Sequence, residues 1–307
     1  MKLFIIGNGF DLAHDIKSKY WHFGEYLQEH YPYFYDCLMA AINYDDGIWS
    51  DFEGELPSCG SSMEDQGLQL AQERLDELDY DPMNDEGIGF WVSQQLVFIN
   101  ELPEVLRAWI ESVDIHKPKA YVEDLFSAED LFVTFNYTNT LEKIYGIPSE
   151  NILHIHGNVA NPDDVLIMGH GDNLQIQYAE KNYNKAVSEF ADCAASVYEC
   201  VLNFLEKTYK YTGQIISENI DFLDELHKVD EIVIIGCSLS KIDYPYFKYI
   251  KELGDFEWTV IYYNSSKWED TLKNKENAEQ FLKSLHISDK MSHIIPDSQV
   301  LLSKNKQ

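Results

Sequence analysis

The chain has 307 residues, of which 45% are hydrophobic, and its formal net charge at pH 7 is -30. This length and composition allow one large α/β domain, or one domain that carries a substantial insert. The negative charge excludes sequence-independent binding to a nucleic-acid backbone unless basic residues cluster locally, and the sequence shows no such cluster. We therefore expect no direct nucleic-acid binding.

Targeting and cysteine signals point to the cytoplasm. The sequence has no run of about 18 apolar residues, and its first residues lack the basic region and cleavage pattern of a signal peptide, so we expect no membrane-spanning segment. The five cysteines are scattered and contain no C-x-x-C pair, which is typical of reduced thiols rather than of a disulfide framework or structural zinc. We expect no metal cofactor.

Taken in chain order, the predicted elements alternate between strands and helices. Short apolar runs predict buried strands at 2–6, 131–135, 152–155, 165–168, 231–235 and 258–263. Longer stretches with helical spacing predict helices within 90–112, 186–209 and 268–285. This alternation indicates an α/β protein with a doubly wound, mostly parallel, Rossmann-like sheet.

Two long segments lack strand patterns. We interpret about 31–125 as a large helical insert between the first and second strands, with a mobile loop in its acidic, turn-rich part at 58–85. A second helical layer is predicted at about 178–228. The polar tail at 303–307 is predicted to be disordered.

Unusual polar residues follow four of the predicted strands. They lie in the motifs GNGFD (7–11), FNYTNTLE (135–142), HIHGN (154–158) and GCSLSKID (236–243). Because ligands of doubly wound sheets bind beyond the carboxyl ends of the strands, these motifs are expected to meet along one edge. The glycines of the first motif leave room for a phosphate or a ribose to approach the main chain.

Individual residues of these motifs can also be explained by a structural role alone. Asn136 and Thr138 are candidate caps for a helix that begins near residue 139, with Glu142 in its first turn. His154 and His156 alternate along a predicted strand, so both rings are expected to lie on the same side of it. On that side, each is either a core residue or a metal ligand. Ser238 is a candidate turn residue.

The combined motifs resemble a known family. GNGFDL, WSDFE (49–53), FNYTNTLE, IHGN and GCSLSKIDYPYF together closely resemble the bacteriophage abortive infection protein family AbiH along most of the chain. This resemblance implies a role in bacterial defence against phage. Members of the family typically have glycine where this chain has Asp15, which alters the first loop.

The motif order also resembles, more distantly, the sirtuin-type NAD-binding domain of several phage-defence proteins. That resemblance implies that NAD is the substrate or ligand, that Asn136 binds the nicotinamide ribose or the attacking water, and that His156 is the base. The same resemblance implies the following cofactor-binding residues: Gly7, Asn8, Gly9, Thr134, Gly157, Gly236 and Ser238. Gly7 and Gly9 would cradle the pyrophosphate.

This chain departs from sirtuins at two positions. Phe135 and Thr138 stand where sirtuins have Gln and Asp, so carboxamide recognition must differ, and Asp11 is the candidate that replaces it. The four-cysteine zinc module of deacetylating sirtuins is missing, which argues against protein deacetylation.

Three functions follow from these patterns. The first is a hydrolase that cleaves the N-glycosidic bond of NAD with Asn136, His156 and Asp11, and is triggered by a phage or host protein. The second is a nucleotide-binding or phage-component sensor without turnover. The third is a metal-dependent nuclease built from Asp11, Glu53, His154 and His156. Assembly into a homo-oligomer and the role of Glu53 stay open.

Overall fold

The computed structural model describes residues 1–42, 44–75 and 87–302. This described part of the chain divides into two compact units. Unit 1 comprises Met1–Lys19, Arg107–Ile167 and Tyr211–Gln307, and unit 2 comprises Tyr20–Leu106 and Met168–Lys210. The interpretation as one domain with a helical insert and a second helical layer stays a prediction.

Unit 1 contains a parallel sheet. Its six strands, within the described residues, have the order β3-β2-β1-β4-β5-β6, which is the order typical of dinucleotide-binding folds. Every neighbouring pair is parallel. The strands are β1 (Lys2–Ile6), β2 (Leu131–Thr134), β3 (Ile152–His154), β4 (Glu231–Ile235), β5 (Glu257–Tyr262) and β6 (Ser292–Pro296). The predicted α/β, doubly wound fold is confirmed.

Both faces of the sheet are covered by apolar side chains. Leu3 and Ile5 of β1 belong to one buried cluster, which also contains Phe247 and Phe281 from helices. Phe4 and Ile6 belong to a second cluster on the other face. Burial on both sides explains why the central strands read as continuous apolar runs, since each side chain of a parallel central strand needs a hydrophobic neighbour.

The helices of unit 1 are α1 (Asn8–Ala13), α9 (Thr212–Glu218), α10 (Ile220–Asp224), α11 (Tyr244–Glu252) and α12 (Trp268–Ser284). Those of unit 2 are α2 (Tyr20–His30), α3 (Pro32–Ala41), α4 (Phe52–Leu75), α5 (Gly87–Gln95), α7 (Asn173–Ser188) and α8 (Asp192–Lys207). Helix α6 (Leu102–Ser112) contributes residues to both units. No helix of the described ranges is long and apolar enough to cross a membrane.

The predicted loop at 58–85 is wrong for its first part, because α4 continues to Leu75. Gly60 and Gly67 lie seven residues apart on the packed face of this helix. A Cβ atom on Gly67 would meet Val92 and Val197, and one on Gly60 would meet Val201 and Leu205. These glycines therefore allow close helix packing and do not mark turns. Residues 76–86 of the predicted loop, and the tail at 303–307, lie outside the described residues.

Other predicted elements also differ from the structure. The apolar run at 165–168 forms no strand, and Val165 is 72% exposed. Conversely, the sequence did not predict β6, because this edge strand is partly exposed and ends in proline. Proline is tolerated at the edge of a sheet, since it has no N–H to donate. The stretches at 90–112 and 186–209 are each interrupted by a turn between two helices.

Candidate functional site

The four predicted motifs gather at the carboxyl edge of the sheet. β1, β2, β3 and β4 lie side by side and parallel, so the residues that follow them leave the sheet at the same edge. Gly7, Phe135, Ile155 and Gly236 each follow one of these strands. The sheet order and the motifs therefore place a candidate site in unit 1.

A close backbone crossing lies at this edge between the β1–α1 turn and the loop after β4. Gly7 N–H donates to the Ile235 carbonyl at 2.9 Å, and Gly9 N–H donates to the Gly236 carbonyl at 2.8 Å. A Cβ atom on Gly7 or Gly9 would lie within 2.7 Å of the Gly236–Cys237 backbone. Gly236 has φ +68°, a conformation that favours glycine.

These contacts bear on the predicted pyrophosphate cradle. Because the amides of Gly7 and Gly9 already donate within the protein, they are not open donors in this conformation. Asn8 also has a local role: its Nδ2 donates to the Ser18 carbonyl at 2.8 Å, and its Oδ1 accepts from Ser18 Oγ at 2.5 Å. The cradle stays a prediction that requires these glycine amides to be released.

Asp11 is the buried carboxylate of the site. Its side chain is 1% exposed, and Oδ2 accepts a hydrogen bond from Thr138 Oγ1 at 2.6 Å. Thr140 Oγ1 donates in turn to Thr138 Oγ1 at 3.0 Å. The second oxygen, Asp11 Oδ1, is buried and accepts no hydrogen bond from the described residues.

Burial dominates the electrostatics of Asp11. Desolvation raises the pKa of its carboxyl from 3.8 to about 6, although the polar side chains of Thr138, Thr140 and Asn136 and the nearby His154 partly offset the rise. The buried anion is therefore costly at neutral pH. Perturbed carboxylates of this kind are frequent at functional sites.

The first prediction concerns the stability of Asp11→Asn. The contribution of Asp11 to the free energy of unfolding of the wild type falls as pH rises from about 3.8 to about 6, because the carboxyl ionises first in the unfolded chain. The total loss is about 3 kcal/mol. Asp11→Asn lacks this ionisation, so its stability relative to wild type should be higher at pH 7.5 than at pH 4. Urea unfolding at both pH values measures the difference.

Asp130→Asn is the matched control for this measurement. Asp130 is also buried, but its two oxygens accept from Lys2 N–H and Ser127 N–H, each at 2.8 Å. Asparagine keeps one of these acceptor oxygens and replaces the other with an NH2 group that would face a backbone N–H, so this variant should be destabilised at both pH values. If the free energy of unfolding changed with pH by the same amount in wild type and in Asp11→Asn, the raised pKa of Asp11 would be contradicted.

Asn136 connects the ends of β1 and β2. Its side chain is buried, and Nδ2 donates to the Gly7 carbonyl at 3.2 Å, while its own N–H donates to Thr134 Oγ1 at 3.1 Å. The alternative of a helix cap is therefore wrong for Asn136 and for Thr138, whose hydroxyl donates to Asp11. Thr134 is a buried neighbour of Asn136, and its contact with a cofactor stays a prediction.

His154 forms a polar group with Glu142 and the Asn136 main chain. Its Nδ1 lies 3.1 Å from the Asn136 carbonyl and its Nε2 lies 3.0 Å from Glu142 Oε1. Both ring nitrogens of His154 therefore face oxygen atoms that can accept hydrogen bonds. Asn158 Nδ2 also donates to Glu142 Oε1, at 3.3 Å.

His156 lies in different surroundings from His154. β3 ends at His154, so the chain turns and the expected alternation stops; the prediction that both rings face the same side is wrong. His156 is 2% exposed, and its Nε2 lies 3.3 Å from Tyr246 Oη and 4.0 Å from Asp243 Oδ1. The ring of Phe135 packs beside it at a centroid distance of 5.3 Å.

The remaining predicted residues lie in loops at this edge. Gly157 has φ +88°, and a Cβ atom there would lie 2.6 Å from the Val165 carbonyl oxygen. Ser238 follows Gly236 and Cys237 in the loop after β4, where Leu239 has φ +57°. Both positions belong to unit 1.

Sequence reasoning missed the role of His14. The buried His14 ring accepts a hydrogen bond from Tyr145 Oη at Nε2, with a distance of 2.8 Å. Its Nδ1 donates to the Phe10 carbonyl, also at 2.8 Å. Burial lowers the pKa of His14, which keeps it neutral. Tyr145 Oη also accepts from the Ala120 and Tyr121 amides. His14 therefore has a structural role, because it links the first motif, through Phe10, to Tyr145 in the segment after the second motif.

Glu53 lies in unit 2 and forms a buried ion pair. Its Oε2 contacts Lys210 Nζ, and Tyr20 Oη donates to its Oε1 at 2.6 Å. Lys210 is 2% exposed. The open question about Glu53 therefore has a structural answer: its carboxylate joins the start of α4 to the segment after α8.

A metal centre finds no support in the described residues. They contain no group of three or more His, Cys, Asp or Glu side chains that could hold a metal ion. The proposed metal ligands are also used otherwise, since His154 contacts Glu142, His156 contacts Tyr246 and Glu53 contacts Lys210.

Comparison with known proteins defines the class of the chain. The family model described as "Bacteriophage abortive infection AbiH" matches residues 3–262. This match covers more than half of the chain, so the protein belongs to the AbiH family. The family supports a bacterial anti-phage role in abortive infection. No curated protein and no solved structure gives a match.

Proposed function

We propose that this AbiH protein acts in abortive infection by cleaving the N-glycosidic bond of NAD. The observation that carries the proposal is Asp11, a desolvated carboxylate with one open oxygen at the carboxyl end of the central strand β1. A fold alone does not identify a ligand. A buried, unsatisfied ionisable group at the crevice where such sheets bind dinucleotides does favour a ligand.

The chemistry assigns a task to each of the three residues. The bond between the nicotinamide nitrogen and the ribose C1′ breaks, its electron pair neutralises the pyridinium, and water attacks C1′ to give ADP-ribose. Positive charge develops on the ribose in the transition state, which a nearby carboxylate such as Asp11 stabilises. Asn136 orients the ribose or the water.

His156 is the proposed base that accepts the proton of the attacking water. A neutral imidazole suits this task near pH 7. Asp243 Oδ1, 4.0 Å from His156 Nε2, would stabilise the imidazolium that forms. NAD cleavage harms the host cell, so we propose that a phage or host protein triggers the activity.

A non-catalytic nucleotide sensor is the second candidate. The alternative within this candidate is a sensor of a phage component, and the internal hydrogen bonds of Gly7 and Gly9 favour it, because they occupy two amides that the pyrophosphate of a nucleotide would use. Phe135 and Thr138 favour it as well, since they depart from the sirtuin pattern. Catalysis and binding are separable by substitution.

The second prediction distinguishes these functions. Asn136→Ala and His156→Ala should each lower nicotinamide release from NAD by 100-fold or more, an order typical of lost acid–base or polar catalysis. Binding of NAD, measured by calorimetry, should persist in His156→Ala. Lys228→Met, an exposed change in unit 1, is the control and should keep full activity. Unchanged release in both site variants would contradict the assignment.

A further inference from the structure

One carboxylate oxygen of Asp11 accepts no hydrogen bond within the described residues. Oδ2 is bonded to Thr138, whereas Oδ1 is buried and accepts no hydrogen bond from the described residues. A buried carboxylate oxygen without a donor lowers stability. Such an atom therefore requires a reason other than the stability of the fold.

Two further buried acceptors lie in the segment that follows β2. Asn139 Oδ1 and Glu142 Oε2 are likewise buried and accept no hydrogen bond from the described residues. Glu142 is joined to the Asp11 region through His154, whose charge acts on the Asp11 carboxyl. All three atoms are acceptors in the segments that follow the neighbouring strands β1 and β2, which favours a ligand group that donates hydrogen bonds.

A phosphate fits this position poorly. The Gly7 and Gly9 amides donate to Ile235 and Gly236, and the Gly7 carbonyl accepts from Phe10 N–H and from Asn136 Nδ2. A phosphate beside Asp11 would meet a buried carboxylate of the same sign with few free donors. Like charges at short range in a desolvated site repel strongly.

We infer that Asp11 Oδ1 accepts a hydrogen bond from a ribose hydroxyl or a carboxamide N–H of the ligand, so that no phosphate lies beside β1. This inference rests on the proposed function for the identity of the ligand, NAD. Because Oδ1 is covered, neighbouring side chains must move when the ligand binds. Asp11 is thus the specificity-determining residue of the site.

The third prediction tests this contact by binding alone. The probes are carba-NAD, which keeps the hydroxyls and the carboxamide but resists cleavage, and ADP-ribose, which lacks the carboxamide. Calorimetry at pH 7.5 should show that Asp11→Asn weakens carba-NAD binding by roughly 10- to 100-fold, as expected when a charged acceptor is replaced by a neutral amide. Equal weakening of ADP-ribose identifies a ribose hydroxyl, and weakening of carba-NAD alone identifies the carboxamide.

Asp230→Asn is the control for loss of one negative charge. The Asp230 side chain is 87% exposed and pairs with the amino terminus at the opposite edge of the sheet. Asp230→Asn should therefore bind carba-NAD as tightly as wild type does. Asp11→Ser provides a second variant without the carboxylate. Circular dichroism verifies that each variant is folded.

Three results would overturn the inference: tighter binding in Asp11→Asn, as a phosphate beside Asp11 requires; unchanged binding; or no binding of either probe to wild type. The proposed activity fails separately. If wild type releases no nicotinamide but carba-NAD binding depends on Asp11, only the activity is wrong. If nicotinamide is released and Asp11→Asn binds carba-NAD normally, only the inference is wrong.

Discussion

Gly236→Ala is expected to destabilise unit 1 by roughly 3 kcal/mol or more, the sum of a backbone overlap and a left-handed conformation. A Cβ atom at this position would lie 2.3 Å from Phe10 N and 2.8 Å from the Gly9 Cα atom. Both neighbours are backbone, so relief requires movement of the β1–α1 turn against β4. Urea unfolding with a unit 1 signal measures the loss.

Two other glycines of unit 1 separate the causes of this effect. Gly146 has φ +70° but open space around it, so Gly146→Ala should cost about 1 to 2 kcal/mol from conformation alone. Gly213 lies in α9 with nothing within 4 Å of its Cβ position, so Gly213→Ala should be neutral or stabilising by up to about 1 kcal/mol. Equal losses in Gly236→Ala and Gly146→Ala would show that the crossing is not tight.

Lys210→Met is expected to destabilise unit 2 by about 3 kcal/mol, because it leaves Glu53, whose side chain is only 13% exposed, without its counter-ion. Glu53 would retain the hydrogen bond from Tyr20 Oη and a long contact of 3.5 Å from Gly169 N–H. These neutral donors do not replace an ammonium group. Thermal and urea unfolding both report the loss.

An exposed ion pair is the control for Lys210→Met. Lys228 and Glu225 have side chains that are 50% and 53% exposed, so Lys228→Met should cost less than about 1 kcal/mol. The double variant Glu53→Leu with Lys210→Met should recover much of the stability, since both charges leave the interior together. Similar costs for Lys210→Met and Lys228→Met would contradict the buried pair.

The central strands were predictable because burial on both faces leaves a simple pattern. β1 and β4 have the predicted bounds, as each is a continuous apolar run. β6 has partly exposed residues and a terminal proline, so its pattern resembles a loop. Gly60 and Gly67 of α4 resembled turn residues, and only packing against neighbouring valines and leucines reveals their role.

The candidate site was predictable in its location more than in its contacts. The position of Asp11 and Asn136 after adjacent strands was sufficient to bring them to one edge of the sheet. The direction of each hydrogen bond was not readable from spacing, because Asn136 reaches Gly7 across 129 positions of sequence separation. The structural link between His14 and Tyr145 was hidden for the same reason.

The central claim is that the nicotinamide–ribose bond of NAD is cleaved at the site around Asp11, Asn136 and His156. The most direct test is to incubate purified protein with NAD at several protein concentrations and quantify nicotinamide and ADP-ribose by chromatography, with His156→Ala in parallel. If the site cleaves NAD, wild type gives the two products in equal amounts and His156→Ala gives neither. Intact NAD after incubation with folded wild type at every concentration would contradict it and favour a binding or sensing role.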